Sequence, residues 1–228
     1  RQTRQAIRRA HRRRPGARIL VTGCASELDP AAFETMPEVT RVVRNAEKLK
    51  AFDVKTPVAA AGTHSRVRSF VAVQNGCDHR CTFCSIWKAR GPSVSLPFEA
   101  IRDSVAREID RGALEVVLTG VDITDYRGGL GALCQKLLAA EPRLKRLRLS
   151  SLDSVEMDGA LFELVAGEPR LMPHFHLSLQ AGDDMVLKRM KRRHSRADAV
   201  RCVERIKAAR ADSTRRSLAV AEAGEEGQ

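Results

Sequence analysis

From residue 69 onward the chain alternates short apolar runs with amphipathic stretches, four times over, and that order leaves little freedom in the fold. Runs 69–73, 115–119, 146–150 and 175–179 have the length and apolar content of strands. Helices are predicted from Pro97 to the stop at Gly112, over 129–139 and 155–166, and as a pair over 183–192 and 196–209. Ile101, Val105 and Ile109 recur at helical spacing and form one buried stripe, and Met157, Leu161, Leu164 and Val165 mark the inner side of the helix over 155–166. Strands separated by helices pair in parallel through crossovers. The expected fold class is therefore α/β, with a partial βα barrel over 67–210.

Two of these strands alternate in character. Phe175, Leu177 and Leu179 interleave with His174, His176, Ser178 and Gln180, and Leu147 and Leu149 interleave with Arg146, Arg148 and Ser150. The apolar faces can pack under helices while the polar faces line an interior pocket. Residues that carry chemistry cluster just past strand C-terminal ends, where a βα barrel keeps its active site: the cysteines after 69–73, then Gly120 to Asp122, Ser150 and Ser151, and Gln180.

Ahead of the barrel, residues 1–14 read as a basic helix ended by Pro15 and Gly16. Residues 19–21 read as a short strand, Asp29 and Pro30 as a helix start, and 41–49 as a strand and turn. This order suggests the later part of a small α/β domain over 1–50. Residues 51–66 lack periodicity and read as a linker, and 211–228 as a divergent, disordered tail.

The 228 residues include 40 Lys+Arg against 28 Asp+Glu, a formal charge of +12, which favours a polyanionic partner, with nucleic acid first in line. Lys188, Arg189, Lys191, Arg192 and Arg193 are the candidate phosphate contacts. No apolar run approaches the roughly 20 residues of a membrane span, and no signal peptide is visible. A reducing, cytoplasmic setting fits the cysteines, which form no disulfide framework.

Of six cysteines, Cys134 and Cys202 fall in predicted helices among apolar residues and read as inert core thiols. Cys77, Cys81 and Cys84 stand in the spacing C-x3-C-x2-C, with Phe83 before the last. Three soft thiolates on one loop can hold three irons of a cubane cluster and leave the fourth open to an amine and a carboxylate, which S-adenosylmethionine (SAM) offers. Zinc with His79 as fourth donor is the alternative, although a histidine two residues from each of two cysteines is cramped for a tetrahedron.

The segments VTGCA (21–25), MPEV (36–39), NAEKL (45–49), VQNGCDHRCTFC (73–84), EVVLTGVDITDY (115–126), LRLSSLD (147–153), HFHLSLQAGDD (174–184) and LKRMKRRHSR (187–196) together resemble the methylthiotransferase branch of the radical-SAM superfamily. The resemblance implies a partial radical-SAM (βα) barrel preceded by part of the family's α/β N-terminal domain. It implies that Cys77, Cys81 and Cys84 hold a SAM-binding 4Fe–4S cluster and that Phe83 packs near the adenine. Gly120, Ser150, Ser151 and Gln180 then line the SAM pocket, with Asp122 and His176 as further pocket candidates. A second 4Fe–4S cluster, of which Cys24 is one ligand, supplies the sulfur in the intact family. The implied reaction is 2-methylthiolation of N6-threonylcarbamoyladenosine at position 37 of a tRNA anticodon stem-loop, with electrons from a donor such as flavodoxin or ferredoxin.

Sister activities on isopentenyladenosine tRNA or on a ribosomal protein are the nearest alternatives, and a basic RNA-binding module with a structural metal is the non-enzymatic one. Residues 85–90 and 92–95 depart from the family's usual runs, and Cys24 alone represents the auxiliary cysteines. The chain is expected to be a fragment that does not complete the reaction by itself.

Overall fold

The computed structural model describes residues 2–47 and 67–210. The expected linker and tail lie outside the described residues. Two compact units result, one of residues 2–47 with 85–91 and the other of residues 67–84 with 92–210.

The first unit contains α1 (Gln2–Arg13), β1 (Leu20–Thr22), α2 (Cys24–Leu28), α3 (Ala31–Glu34), β2 (Arg41–Val43) and α4 (Ile86–Arg90). β1 and β2 pair in parallel, with Leu20 opposite Arg41. Ile7, the buried residue of the otherwise basic α1, packs with Val21, Phe33 and Met36. Helix α2 is an element the sequence pattern does not signal. Gly23 starts it at φ 125, a conformation open to glycine, and its carbonyl accepts from the Ser26 hydroxyl at 3.1 Å. Helix α4 packs on α2, and the Asn45 amide donates to the Ala89 carbonyl at 2.5 Å.

The second unit holds the βα repeats: β3 (Arg68–Ala72), β4 (Gln74–Asn75), β5 (Val94–Ser95), α5 (Phe98–Asp110), β6 (Glu115–Thr119), α6 (Leu130–Ala140), β7 (Arg146–Leu149), β8 (Ser151–Leu152), α7 (Gly159–Gly167), β9 (His176–Leu177), α8 (Asp184–Arg189) and α9 (Arg196–Ala209). Strands β3, β6 and β7 form a parallel sheet in that order, and β8 pairs in parallel with β9. This is the mixed α/β fold with parallel strands that the alternation predicts. The run 146–150 divides into β7 and β8 at Ser150, whose N–H still bonds to the Leu118 carbonyl at 3.0 Å. The helix predicted over 155–166 starts later, because the Asp158 side chain caps it by accepting from Leu161 N at 2.7 Å. Met157 is buried but precedes the helix.

The outer sheet face is the core. Val71, Val116, Leu118, Leu147 and Leu149 meet Ile101, Val105, Leu133 and Leu137 of the helices. Each such side chain contributes roughly 1.5–3 kcal/mol by leaving water. The opposite face is polar and partly open. Glu115, buried at the start of β6, is held by Arg68 and by Arg146 and Arg148 at 3.4 and 2.8 Å. The arginines predicted to line a pocket are therefore spent on this carboxylate, whose pKa lies below the usual range because the guanidiniums outweigh the upward push of burial.

Candidate active site

The cysteine loop leaves the sheet through β4, which pairs antiparallel with β5. One amide secures that exit. Gln74 Oε1 accepts from the N–H groups of Val121 and Asp122 at 3.0 and 2.9 Å, while Nε2 donates to the Gly76 carbonyl at 2.8 Å and to Ser93 Oγ at 2.9 Å. Gly120, expected in the SAM pocket, has a packing reason of its own: a Cβ there would lie 2.8 Å from the Gln74 carbonyl oxygen and 2.9 Å from Ile123 Cγ2. The far side of the loop is tied to the end of α8, where Thr82 donates through N and Oγ1 to the Met190 and Arg189 carbonyls, both at 3.2 Å.

These anchors gather the three cysteines. Cys81 is buried, and Cys77 and Cys84 are half-buried. Burial pushes the Cys77 thiol up to about 11, against the pull of a backbone contact at His79. The Asp122 carboxylate and the thiolates of Cys81 and Cys84 push it further the same way. Three thiol sulfurs close enough for two of them to oppose ionisation of the third are a fitting donor set for a soft, positively charged iron–sulfur cluster, whose binding drives deprotonation. Cys77, His79 and Asp122 also bring one donor atom each to within 4.8 Å of one another. That mixed set suits a borderline cation and engages one thiol of the three, unlike the all-sulfur donor set of an iron–sulfur cluster.

Behind the loop lies a polar network that sequence patterns did not reveal. His79 Nε2 lies 3.3 Å from Asp122 and 3.0 Å from Glu156. The Thr124 hydroxyl sits 2.9 Å from Asp122 and 3.1 Å from Glu156, and Arg193 pairs with Glu156 from the outside. Burial, and then the Asp122 carboxylate, raise the Glu156 pKa to about 7, with Arg193 opposing. The folded chain thus keeps this proton where the unfolded chain, with an ordinary value of 4.5, has lost it. The Glu156 contribution to stability therefore falls as pH rises from 4.5 to about 7 and levels off above, while His79, whose pKa burial lowers, contributes in the opposite sense. At roughly 1.4 kcal/mol per unit the loss is on the order of 3 kcal/mol. Glu156→Gln is expected to flatten this pH dependence, as read from denaturant melts of the iron-free protein at pH 5 and pH 8.

The other predicted residues are spread around this centre. Ser150 Oγ is buried and has no hydrogen-bond partner among the described residues. Ser151 Oγ and His176 Nδ1 lie 2.7 Å apart across β8 and β9. Gln180 is exposed and adopts φ 70, and Phe83 is 55% exposed. Cys24 opens α2 in the first unit. Cys134 and Cys202 are buried with thiols pushed up to about 12 and about 11, as expected of core residues. Arg192 requires correction. The charge run makes it a candidate phosphate contact, but its side chain is 7% exposed and bonds to Asp153, the Ser178 carbonyl and Cys81. A helical charge run shows which residues are basic, not which one the turn after α8 directs inward.

Comparison with known proteins agrees with this centre. The Radical SAM superfamily model matches residues 71–220. The threonylcarbamoyladenosine tRNA methylthiotransferase MtaB of Rickettsia prowazekii is 42% identical, covering 92% of this chain and 55% of that protein. The tRNA-2-methylthio-N(6)-dimethylallyladenosine synthase of Anaplasma marginale is 32% identical, covering 88% of this chain and 50% of that protein. The chain spans about half the length of these curated relatives. Among solved structures, the radical S-adenosylmethionine methyltransferase TsrM of Kitasatospora setae superposes with a TM-score of 0.54 at 16% identity, covering 62% of this chain and 28% of that one, a likeness of fold. The family match spans the cysteine loop and the parallel strands that carry it, and the chain accordingly belongs to the radical SAM superfamily, in which a 4Fe–4S cluster and SAM are the cofactors.

Proposed function

We propose that the protein is a methylthiotransferase acting on tRNA, with N6-threonylcarbamoyladenosine at position 37 of the anticodon stem-loop as its target. The observation that carries this reading is the loop that gathers three cysteine thiols at the end of a parallel strand, in a chain 42% identical to an MtaB. Cys77, Cys81 and Cys84 would hold the cluster. When bound and reduced, cluster and SAM together supply a 5′-deoxyadenosyl radical able to take hydrogen from the base. The protein's part is to hold, orient and enclose. Gln74 and Gly120 fix the mouth of the cysteine loop. Phe83, Ser150, Ser151, His176, Gln180 and Asp122 are the pocket residues of this reading, and the Ser150 hydroxyl, without a partner among the described residues, suits a ligand contact. Exposed Lys188, Arg189 and Lys191, with the half-exposed Arg193, would meet RNA phosphates.

Cys24 serves a second 4Fe–4S cluster in this reading. One thiolate does not hold four irons, and Cys134 and Cys202 are committed to the core, so the 228 residues alone are proposed not to complete methylthio transfer. A flavodoxin or ferredoxin would deliver electrons in the cytoplasm. No helix among the described residues is long and apolar enough to cross a membrane.

Mass spectrometry of tRNA nucleosides from a strain lacking the gene tests the assignment. The expected result is loss of the 2-methylthio group from the threonylcarbamoyl nucleoside alone. Loss from the dimethylallyl nucleoside instead would select the sister activity, and an unchanged nucleoside profile would remove tRNA as the substrate.

A further inference from the structure

Arg192 is buried against a cysteine of the loop, and the backbone is shaped to put it there. Lys191 adopts φ 56, a left-handed conformation that non-glycine residues seldom take. It lies just past α8, and the Arg192 N–H then bonds back to the Leu187 carbonyl at 2.9 Å. The guanidinium consequently points inward. Nη1 lies 3.6 Å from Cys81 Sγ, and Nη2 donates to Asp153 Oδ2 at 2.6 Å and to the Ser178 carbonyl at 3.0 Å. Asp153 is itself 5% exposed, and His194 lies 3.6 Å from its other oxygen. A guanidinium has donors only, so the direction of the contact is fixed: nitrogen donates and sulfur accepts.

We infer that Arg192 is a positioning residue for the SAM-binding cluster, which holds the Cys81 sulfur by a charge-assisted hydrogen bond and raises the cluster's reduction potential, with Asp153 as the counter-charge that limits the effect. The inference rests on the cluster assignment proposed above. Hydrogen bonds to cluster sulfurs and the net charge around them set iron–sulfur potentials. Reduction adds one electron to the cluster, and a buried cation on a ligand sulfur favours that state more than a solvated one would. A carboxylate in the same network acts in the opposite sense.

The test is EPR-monitored potentiometry of the anaerobically reconstituted protein, following the signal that added SAM perturbs. Arg192→Gln is expected to lower the ratio of reduced to oxidised cluster about tenfold at the wild-type midpoint, a shift of about 59 mV to more negative potential for one electron. Arg192→Lys should recover part of the shift. Asp153→Asn should move the midpoint to more positive values. A purely structural role predicts altered iron content but no such opposed pair of shifts. An Arg192→Gln protein that binds iron, responds to SAM and keeps the wild-type midpoint overturns the inference, as do Arg192→Gln and Asp153→Asn shifts of the same sign. If Arg192→Gln loads no cluster, Asp153→Asn decides: a positive shift supports the inference, and no shift or a negative one overturns it. A wild-type protein with no SAM-responsive cluster removes the underlying assignment as well, so the two failures are distinguishable.

Discussion

On the proposed cluster assignment, Cys81→Ala is expected to leave the protein without its SAM-binding cluster and to abolish formation of 5′-deoxyadenosine from SAM and a reductant. Three thiolates for three irons leave no spare ligand, so loss of one should exceed the about 100-fold that removal of an outer-shell partner costs. Cys81 is also the buried member of the trio and accepts the Arg192 hydrogen bond, so its removal leaves a guanidinium without its sulfur partner. Cys77→Ala and Cys84→Ala should fail in the same way. Cys202→Ala is the informative control. That thiol is buried with its sulfur 3.5 Å from Met157 Sδ, and its replacement should cost packing energy while leaving iron content intact. Iron analysis, absorbance near 400 nm and product assay on the anaerobically reconstituted proteins check the set. A Cys81→Ala protein with full iron and full SAM cleavage would end the cluster assignment.

Gly131→Ala is expected to give the largest loss of stability of any single methyl addition to the second unit. Gly131 lies in the first turn of α6, against the start of α7, where Asp158 serves both helices. Its Oδ1 caps α7 by accepting from Leu161 N at 2.7 Å, and its Oδ2 accepts from Gly131 N at 3.0 Å. A Cβ on Gly131 would collide with Leu161 N and Asp158 Oδ1 and stand 2.6 Å from the Ala160 carbonyl carbon. Two of these are backbone atoms that cannot swing aside, so the helices must separate and the shared cap must break. Overpacking costs about 1–3 kcal/mol and loss of a cap about 1 kcal/mol, for a total of roughly 2–4 kcal/mol. Urea denaturation midpoints of Gly131→Ala against wild type measure it. Gly159→Ala, where a Cβ meets nothing within 4 Å, is the neutral comparison.

The sequence discloses those parts of the molecule that depend on local pattern. Ile101 and Val105 report a helix face that is buried as predicted, and the last helix runs over Arg196–Ala209 as its spacing indicates. The cysteine spacing locates the loop, because chemistry of that kind needs its donors close together in the chain. What pattern could not disclose is held by contacts distant in sequence. The Arg146 and Arg148 side chains alternate as expected, yet the partner that claims them is Glu115, 33 residues from Arg148. Arg192 reaches Cys81 across 111 residues and Asp153 across 39, from a left-handed turn that no residue type announces. The first helical turn expected before Asp158 is absent because one carboxylate, by capping from outside, outranks the apolar periodicity around it.

The amide of Gln74 uses both of its ends, one receiving two protons from the β6 side and the other giving protons to Gly76 and Ser93. Exchange of its nitrogen for oxygen, the single-atom outcome of hydrolytic ageing, would set a negative oxygen against a carbonyl and leave the hydroxyl to turn around. The mouth of the cysteine loop would then be forced apart without any change in size or shape. An amide engaged at both ends thus makes the loop sensitive to a one-atom change at a buried residue that is none of the three cysteines.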